Sequence, residues 1–220
     1  MDEVTPRSAA SAIVLRDEPL ELLMLQRHAK SSFMPNAWVF PGGMVEEEDM
    51  ALAGELADGS TLAAMRIAAV RETFEETGVW LGAPLENAIE RRRQLGTGEL
   101  AFGELLKAAP VDLESLVWTS RWITPVGVPK RFDTYFFLVH VPRETAATAD
   151  QSEAVDVTWI HPAAALQTHA ERSMQMVFPT LRNLEALAGF DTAAALLESR
   201  RGAMIEPVMP ILVDGKPRLP

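Results

Sequence analysis

The sequence has no cysteine among its 220 residues. That excludes disulfides, thiolate nucleophiles, iron–sulfur clusters and thiolate-ligated zinc, and it fits a reducing compartment. No apolar stretch approaches the ~18 residues needed to span a bilayer. Residues 1–7 are acidic and include Pro6, unlike the basic start and apolar run of a signal peptide. A soluble, cytoplasmic protein with no membrane partner is therefore expected. Positive charge is also scarce: 20 Lys and Arg face 31 Asp and Glu, a formal net charge of −11. Such a chain repels phosphate backbones, so nucleic acid is not an expected partner. A local phosphate site survives that argument if metal ions supply the positive charge. Internal repeats and low-complexity linkers are lacking too. With 48% apolar and 23% charged residues the composition is ordinary for a globular chain.

What is present reads as a mixture of strands and helices. Two apolar runs, 12–15 and 20–25, flank Asp17-Glu18-Pro19 and predict a β-hairpin. A short strand at 38–40 is stopped by Pro41-Gly42-Gly43. Helices are expected over 50–57 and 62–77, the second entered through an N-cap in 58–61 and closed by Gly78. A short strand is expected at 79–81, and helical structure over 84–109, broken near 96–98. β-Branched and aromatic residues predict strands at 116–123, 133–141 and 155–160. Helix then runs from Pro162 to about Arg201, before an extended tail over about 203–220. There is no regular βαβ rhythm, which places the chain in the α+β class.

The helix expected over 62–77 carries the chemistry. At about 100° per residue, with Glu72 at zero, Glu76 lies near +40° and Glu75 near −60°. Ala63, Ile67, Val70 and Phe74 cluster on the opposite side. The three carboxylates sit in the last two turns, at the negative end of the helix dipole, with Arg71 as their one neighbouring cation. A solvated acidic face is the plainer reading. The dipole-opposed position and the Gly-Gly turn upstream favour a divalent cation with oxygen ligands, Mg²⁺ or Mn²⁺. At that turn a backbone carbonyl could approach the ion closely.

The run Arg71-Glu72-Thr73-Phe74-Glu75-Glu76-Thr77-Gly78-Val79 resembles the second half of the Nudix box, with Gly43 as its opening glycine after Phe40-Pro41-Gly42. Thr73 stands where the pattern has an apolar residue. Arg71 follows Gly43 by 28 positions, where the family pattern has 14. The first half is thus stretched, and Glu46 and Asp49 both remain candidates for its acid. Residues 32–43 and 131–137 are similar to the Nudix subgroup with an enlarged box that includes a peroxisomal coenzyme A diphosphatase.

The resemblance implies a Nudix-type α/β/α sandwich with a small mixed sheet, formed as one domain over 1–220 with a helical insertion at about 84–109. It implies a metal-dependent pyrophosphohydrolase that cleaves a nucleoside diphosphate linked to X. Coenzyme A or a derivative is the leading X-bearing substrate, with ADP-ribose or NADH as the alternative. In that reading Glu72, Glu75, Glu76 and the Gly43 carbonyl hold the metal, and Arg71 braces the glutamates. The general base is Glu72 or Glu153, the latter on the loop before the strand at 155–160. Arg27, Phe33 and Trp38 are candidates to line the nucleotide pocket, although core packing explains the two aromatics equally well. The four histidines show no metal-ligand spacing. The stripe Met174, Met176, Val177 and Leu181 reads as core or as the seam of a homodimer. A nucleotide-sensing regulator on the same fold tends to have lost box glutamates, and none of the three is lost here. The related isomerases need a catalytic cysteine that this chain lacks.

Overall fold

The computed structural model describes residues 4–219. The expected hairpin forms from β1 (Arg7–Arg16) and β2 (Glu21–Arg27), paired antiparallel at Leu15–Leu22 and Arg16–Glu21. Then come β3 (Trp38–Val39), β4 (Gly42–Met44), α1 (Glu47–Leu56) and α2 (Thr61–Thr77). The segment after α2 contains α3 (Ala88–Thr97) and α4 (Phe102–Ala108). Three longer strands follow: β5 (Val117–Ile123), β6 (Phe132–His140) and β7 (Ala154–Ile160). The C-terminal third holds α5 (Pro162–Ala170), α6 (Phe178–Leu187) and α7 (Ala193–Arg200), then the short strands β8 (Pro207–Val208), β9 (Ile211–Val213) and β10 (Lys216–Arg218).

The main sheet runs β3-β2-β1-β6-β5-β8, with β4 also on β1 and β7 also on β2. It is mixed: β1 and β6 pair in parallel over nine residues, Arg7–Phe132 to Leu15–His140, whereas β2–β7 and β5–β6 are antiparallel. Strand β1 is buried on both faces, and its alternation sorts the two layers. Ala10, Ala12 and Val14 face α2 and α4, packing with Ile67, Phe74 and Leu105. Ile13 and Leu15 face α5, α6 and α7, packing with Ala165, Leu184 and Leu196. Helices therefore cover both faces of a mixed sheet, the expected α/β/α layering.

Three sequence expectations need correction. Residues 79–81 are not a strand. Val79 and Leu81 are buried against the α2 layer, so they are apolar because they enter the core, without a sheet partner. The stretch from Pro162 onward is three helices, interrupted at 171–177 and 188–192. The break after α5 lets 174–176 run beside β3, where Trp38 and Met176 form a parallel bridge. Met174 and Met176 are consequently buried core on that face. Lastly, α2 has no open face opposite an apolar stripe. Ala64, Met65, Ala68 and Ala69 are buried as well, and the helix is enclosed by sheet and neighbouring helices. None of the described helices is long and apolar enough to cross a membrane.

Candidate active site

Helix α2 is delimited as its sequence dictates. The Ser60 hydroxyl accepts the Ala63 N–H at 3.1 Å, and Gly78 closes the helix at φ 72°, where a side chain would be strained. Thr73 replaces an apolar residue at no polar cost, because its buried hydroxyl donates to the Ala69 carbonyl at 2.6 Å.

Strand β4 lies across the carboxylate side of this helix. It is pinned to β1 through Ala9–Met44, Ala10–Gly43 and Ser11–Gly42. Close backbone approach requires glycine at 42, and Gly43 lies directly against the Glu72 carboxylate. A Cβ on Gly42 would lie 2.4 Å from the Ala10 carbonyl oxygen, and one on Gly43 would lie 2.4 Å from Glu72 Oε1. The Gly42 N–H donates to Glu76 Oε2 at 2.8 Å. That bond was not visible in the sequence, because it depends on β4 docking beside α2.

Arg71 organises the cluster. All five of its N–H groups find acceptors. Nε and Nη2 make a fork to Asp49 at 3.0 and 2.9 Å, Nη2 also reaches the Met44 carbonyl at 2.9 Å, and Nη1 donates to Glu72 Oε1 and Glu75 Oε2, both at 3.0 Å. Asp49 is fully buried and also accepts the Glu46 N–H at 2.9 Å. Asp49, rather than Glu46, is thus the acid that pairs with Arg71. The long interval between Gly43 and Arg71 is taken up by α1 and the turn at 57–60.

The electrostatics are those of a site short of cations. Burial pushes the Glu72 carboxyl up to about 7, with Glu75 and Glu153 adding repulsion and Arg71 opposing it. Burial raises Glu75 as well, again against Arg71. Glu76 is raised well above the usual carboxylate range, first by its burial and then by Glu72 and Glu153, against the Gly42 N–H and Arg27. Burial disfavours the Arg71 charge, but Asp49, Glu72 and Glu75 outweigh it and hold the guanidinium protonated.

Each glutamate has one oxygen engaged. The others, Glu72 Oε2, Glu75 Oε1 and Glu76 Oε1, accept no hydrogen bond from a described residue. Among the described residues no three acidic or histidine side chains form a ready-made ion cage. Three clustered carboxylates, Glu76 buried and Glu72 and Glu75 partly so, nonetheless fit a hard divalent cation that would replace the protons burial favours.

A pH dependence follows for the metal-free protein. The ordinary Glu value is 4.5, and folding raises Glu72 to about 7. The folded state therefore holds a proton that the unfolded state releases. The associated stability is complete below about 4.5 and is lost as pH rises through about 7. Carboxylates lowered by folding, such as Glu21 and Asp150, change only at more acidic pH. In chelator-treated protein the Tm is expected to fall by several degrees between pH 5.5 and 7.5. The slope should shrink in Glu72→Gln and with added Mg²⁺. A wild-type Tm that climbs across that window would contradict it.

The remaining candidates scatter. Glu153 is exposed, but it is close enough to raise both Glu72 and Glu76. Its backbone carbonyl accepts the His28 N–H at 2.8 Å, which docks its loop beside β2. Arg27 stands near Glu76 and donates from Nε to the Phe33 carbonyl at 3.1 Å. Phe33 is half-buried, edge-on to Phe132 at 5.1 Å between ring centres. Trp38, for which pocket lining and core packing are equal expectations, is a core residue. It is buried on the other face of the sheet, in the core with Met24, Phe40 and Met176. The histidines do local structural work: Nδ1 of His161 accepts the Ala163 N–H at the start of α5, and Nδ1 of His169 accepts the Met176 N–H.

Comparison with known proteins agrees with this geometry. A family model described as the NUDT19 Nudix domain matches residues 54–187. The putative nudix hydrolase 7 of Caenorhabditis elegans is 35% identical over 163 residues, covering 71% of this chain and 52% of that protein. The acyl-coenzyme A diphosphatase NUDT19 of Xenopus laevis is 28% identical over 228 residues, covering 77% of this chain and 60% of that one. The chain thus spans between half and two thirds of the length of these relatives. The crystal structure of a NUDIX hydrolase from Alicyclobacillus acidocaldarius superposes with a TM-score of 0.78 at 26% identity, covering 89% of this chain and 96% of that one. With more than half its length matched by that family model, and with the box residues gathered at the end of α2, the chain belongs to the Nudix hydrolase family.

Proposed function

We propose that this chain is a divalent-cation-dependent pyrophosphohydrolase that splits the diphosphate of coenzyme A or an acyl-coenzyme A. The observation that carries the chemistry is the trio Glu72, Glu75 and Glu76. Glu76 is buried and Glu72 and Glu75 are partly so, all three are raised by burial, and each has one oxygen that accepts no hydrogen bond from a described residue. The substrate is suggested by the name of the Xenopus laevis relative, an acyl-coenzyme A diphosphatase.

In this reading Glu72, Glu75, Glu76 and the Gly43 carbonyl hold the ion, Mg²⁺ or Mn²⁺. When bound, such an ion neutralises diphosphate oxygens and makes a bound water more acidic. Arg71 keeps Glu72 and Glu75 oriented, since both bonds run from one nitrogen. Glu153 accepts the proton of the attacking water. Its side chain is exposed and near the cluster, whereas one Glu72 oxygen is engaged by Arg71. Arg27 supplies a positive charge for a substrate phosphate, with Phe33 beside it. Residues 1–220 act together as one catalytic unit.

Purified protein with Mg²⁺ or Mn²⁺ should convert coenzyme A or its thioesters to adenosine 3′,5′-bisphosphate and the matching phosphopantetheine. ADP-ribose and NADH, assayed in parallel, should turn over more slowly. Faster cleavage of ADP-ribose or NADH would reassign the substrate. No cleavage of any of them by folded, ion-binding protein would overturn the hydrolase reading.

A further inference from the structure

Helix α3 lies outside the carboxylate cluster, yet one of its side chains reaches the end of α2. Arg92 donates from Nε and Nη2 to the Glu75 carbonyl, at 2.9 and 2.7 Å, and from Nη1 to the Thr148 carbonyl at 2.7 Å. Its two neighbours behave differently. Arg91 bonds the Glu86 carbonyl, and Arg93 pairs with Glu90 and Glu99, all within the same segment. Helix α3 has no fully buried side chain; Ala88 and Leu95 pack partly buried against the core, and Arg92 adds hydrogen bonds to the end of α2.

The contact answers two needs of α2. Its last turn contains no basic residue, although that is the negative end of the helix. Its final carbonyls also have no partners inside the helix. Arg92 supplies both a charge and two donors at the backbone of Glu75, one of the cluster acids. The Thr77 carbonyl is met from the other side by the Thr148 N–H at 2.9 Å.

Thr148 opens the loop that presents Glu153. Two residues on, the Asp150 carboxylate gathers the backbone N–H groups of Ser152, Glu153 and Ala154 at 3.0, 2.9 and 2.7 Å. Burial disfavours the Arg92 charge, and Asp150 and Glu76 are the anions that support it. A continuous set of bonds therefore runs from the cluster helix, through one guanidinium, to the loop carrying the proton acceptor.

We propose that Arg92 is a positioning residue: it latches the carboxylate-bearing end of α2 to the 148–153 loop, so that the segment 84–109 sets where Glu153 stands relative to the ion-binding acids. This rests on the hydrolase reading above. Arg92 itself touches no reacting atom.

The test compares Arg92→Ala, Arg92→Lys and, as a control, Arg93→Ala, each assayed well below its own Tm. Arg92→Ala should lower kcat by about 10- to 100-fold with KM changed less than about threefold. Arg92→Lys keeps the charge but loses the fork, and should fall between Arg92→Ala and wild type. Arg93→Ala should match wild type. In a Glu153→Gln background, Arg92→Ala should cost little more, because both changes act on one step. Amide hydrogen exchange, which needs no turnover, should quicken at 148–154 and 75–78 in Arg92→Ala.

Unchanged kcat in folded Arg92→Ala, or losses that simply multiply with Glu153→Gln, would overturn the positioning role. Unchanged exchange would overturn the latch. Wild-type protein inert toward every substrate would overturn the hydrolase reading instead, and the exchange result would still decide the latch.

Discussion

Glu76→Gln is expected to lower kcat by about a thousandfold while leaving the metal-free fold as stable as before or more so. In the proposed function an ion held by the cluster would contribute several kcal/mol of charge stabilisation in the transition state. Losing about 4 kcal/mol of it corresponds to a factor of ~10³. The stability half of the expectation comes from geometry. Glu76 is almost fully buried, and burial together with Glu72 disfavours its charge. A glutamine amide has the same shape, and its oxygen can still accept the Gly42 N–H that now binds Oε2 at 2.8 Å. Steady-state kinetics and a melt with chelator check the two halves together. A variant that keeps a tenth of wild-type kcat would remove Glu76 from the ion site. A variant that melts well below wild type would show that the Glu76 carboxylate serves the fold.

The second large effect concerns stability. Asp49→Ala should destabilise the protein by about 3–5 kcal/mol, because it leaves the buried Arg71 guanidinium without its fork. Side-chain exposure is 7% for Arg71 and zero for Asp49, so water cannot replace the lost acceptor. For a chain of this length each kcal/mol is worth about 2–4 °C, so the Tm should drop by roughly 6–20 °C. Arg71→Met alone should also destabilise, by stranding Asp49. The pair Asp49→Ala and Arg71→Met should cost clearly less than the sum of the two. Differential scanning calorimetry decides it. A loss under about 1 kcal/mol for Asp49→Ala would mean that Met44, Glu72 and Glu75 suffice to hold Arg71. The same variant should weaken ion binding, since Glu72 and Glu75 take their orientation from Arg71.

Much of this site could be read from spacing because it lies on one helix. Ser60 and Gly78 mark the ends of α2, and its 3.6-residue period brings Glu72, Glu75 and Glu76 to one side. The parts that could not be read are those brought in by packing. Asp49 was one of two candidates, because an enlarged box leaves the register between Gly43 and Arg71 undetermined. The glycines before it were legible as a turn, but the 2.8 Å bond from Gly42 to Glu76 exists only once β4 docks on β1. Arg92 carried no signal at all, sitting among three arginines in a helix with no buried side chain. Residues 79–81 mislead because large apolar side chains report burial, not which pairing buries them.

The long parallel pairing of β1 with β6 has a consequence for how the chain reaches this state. Arg7 meets Phe132 and Leu15 meets His140, so the central pair closes a loop of more than a hundred residues. Until β6 has been synthesised, β1 has no parallel partner and shows apolar side chains to both sides, Val14 on one and Ile13 on the other. Pairings this distant form slowly, on the millisecond-to-second scale rather than in microseconds. Emerging from the ribosome, α2 thus precedes the strand that completes its support, and the nascent chain passes through an interval in which its central strand is open to association.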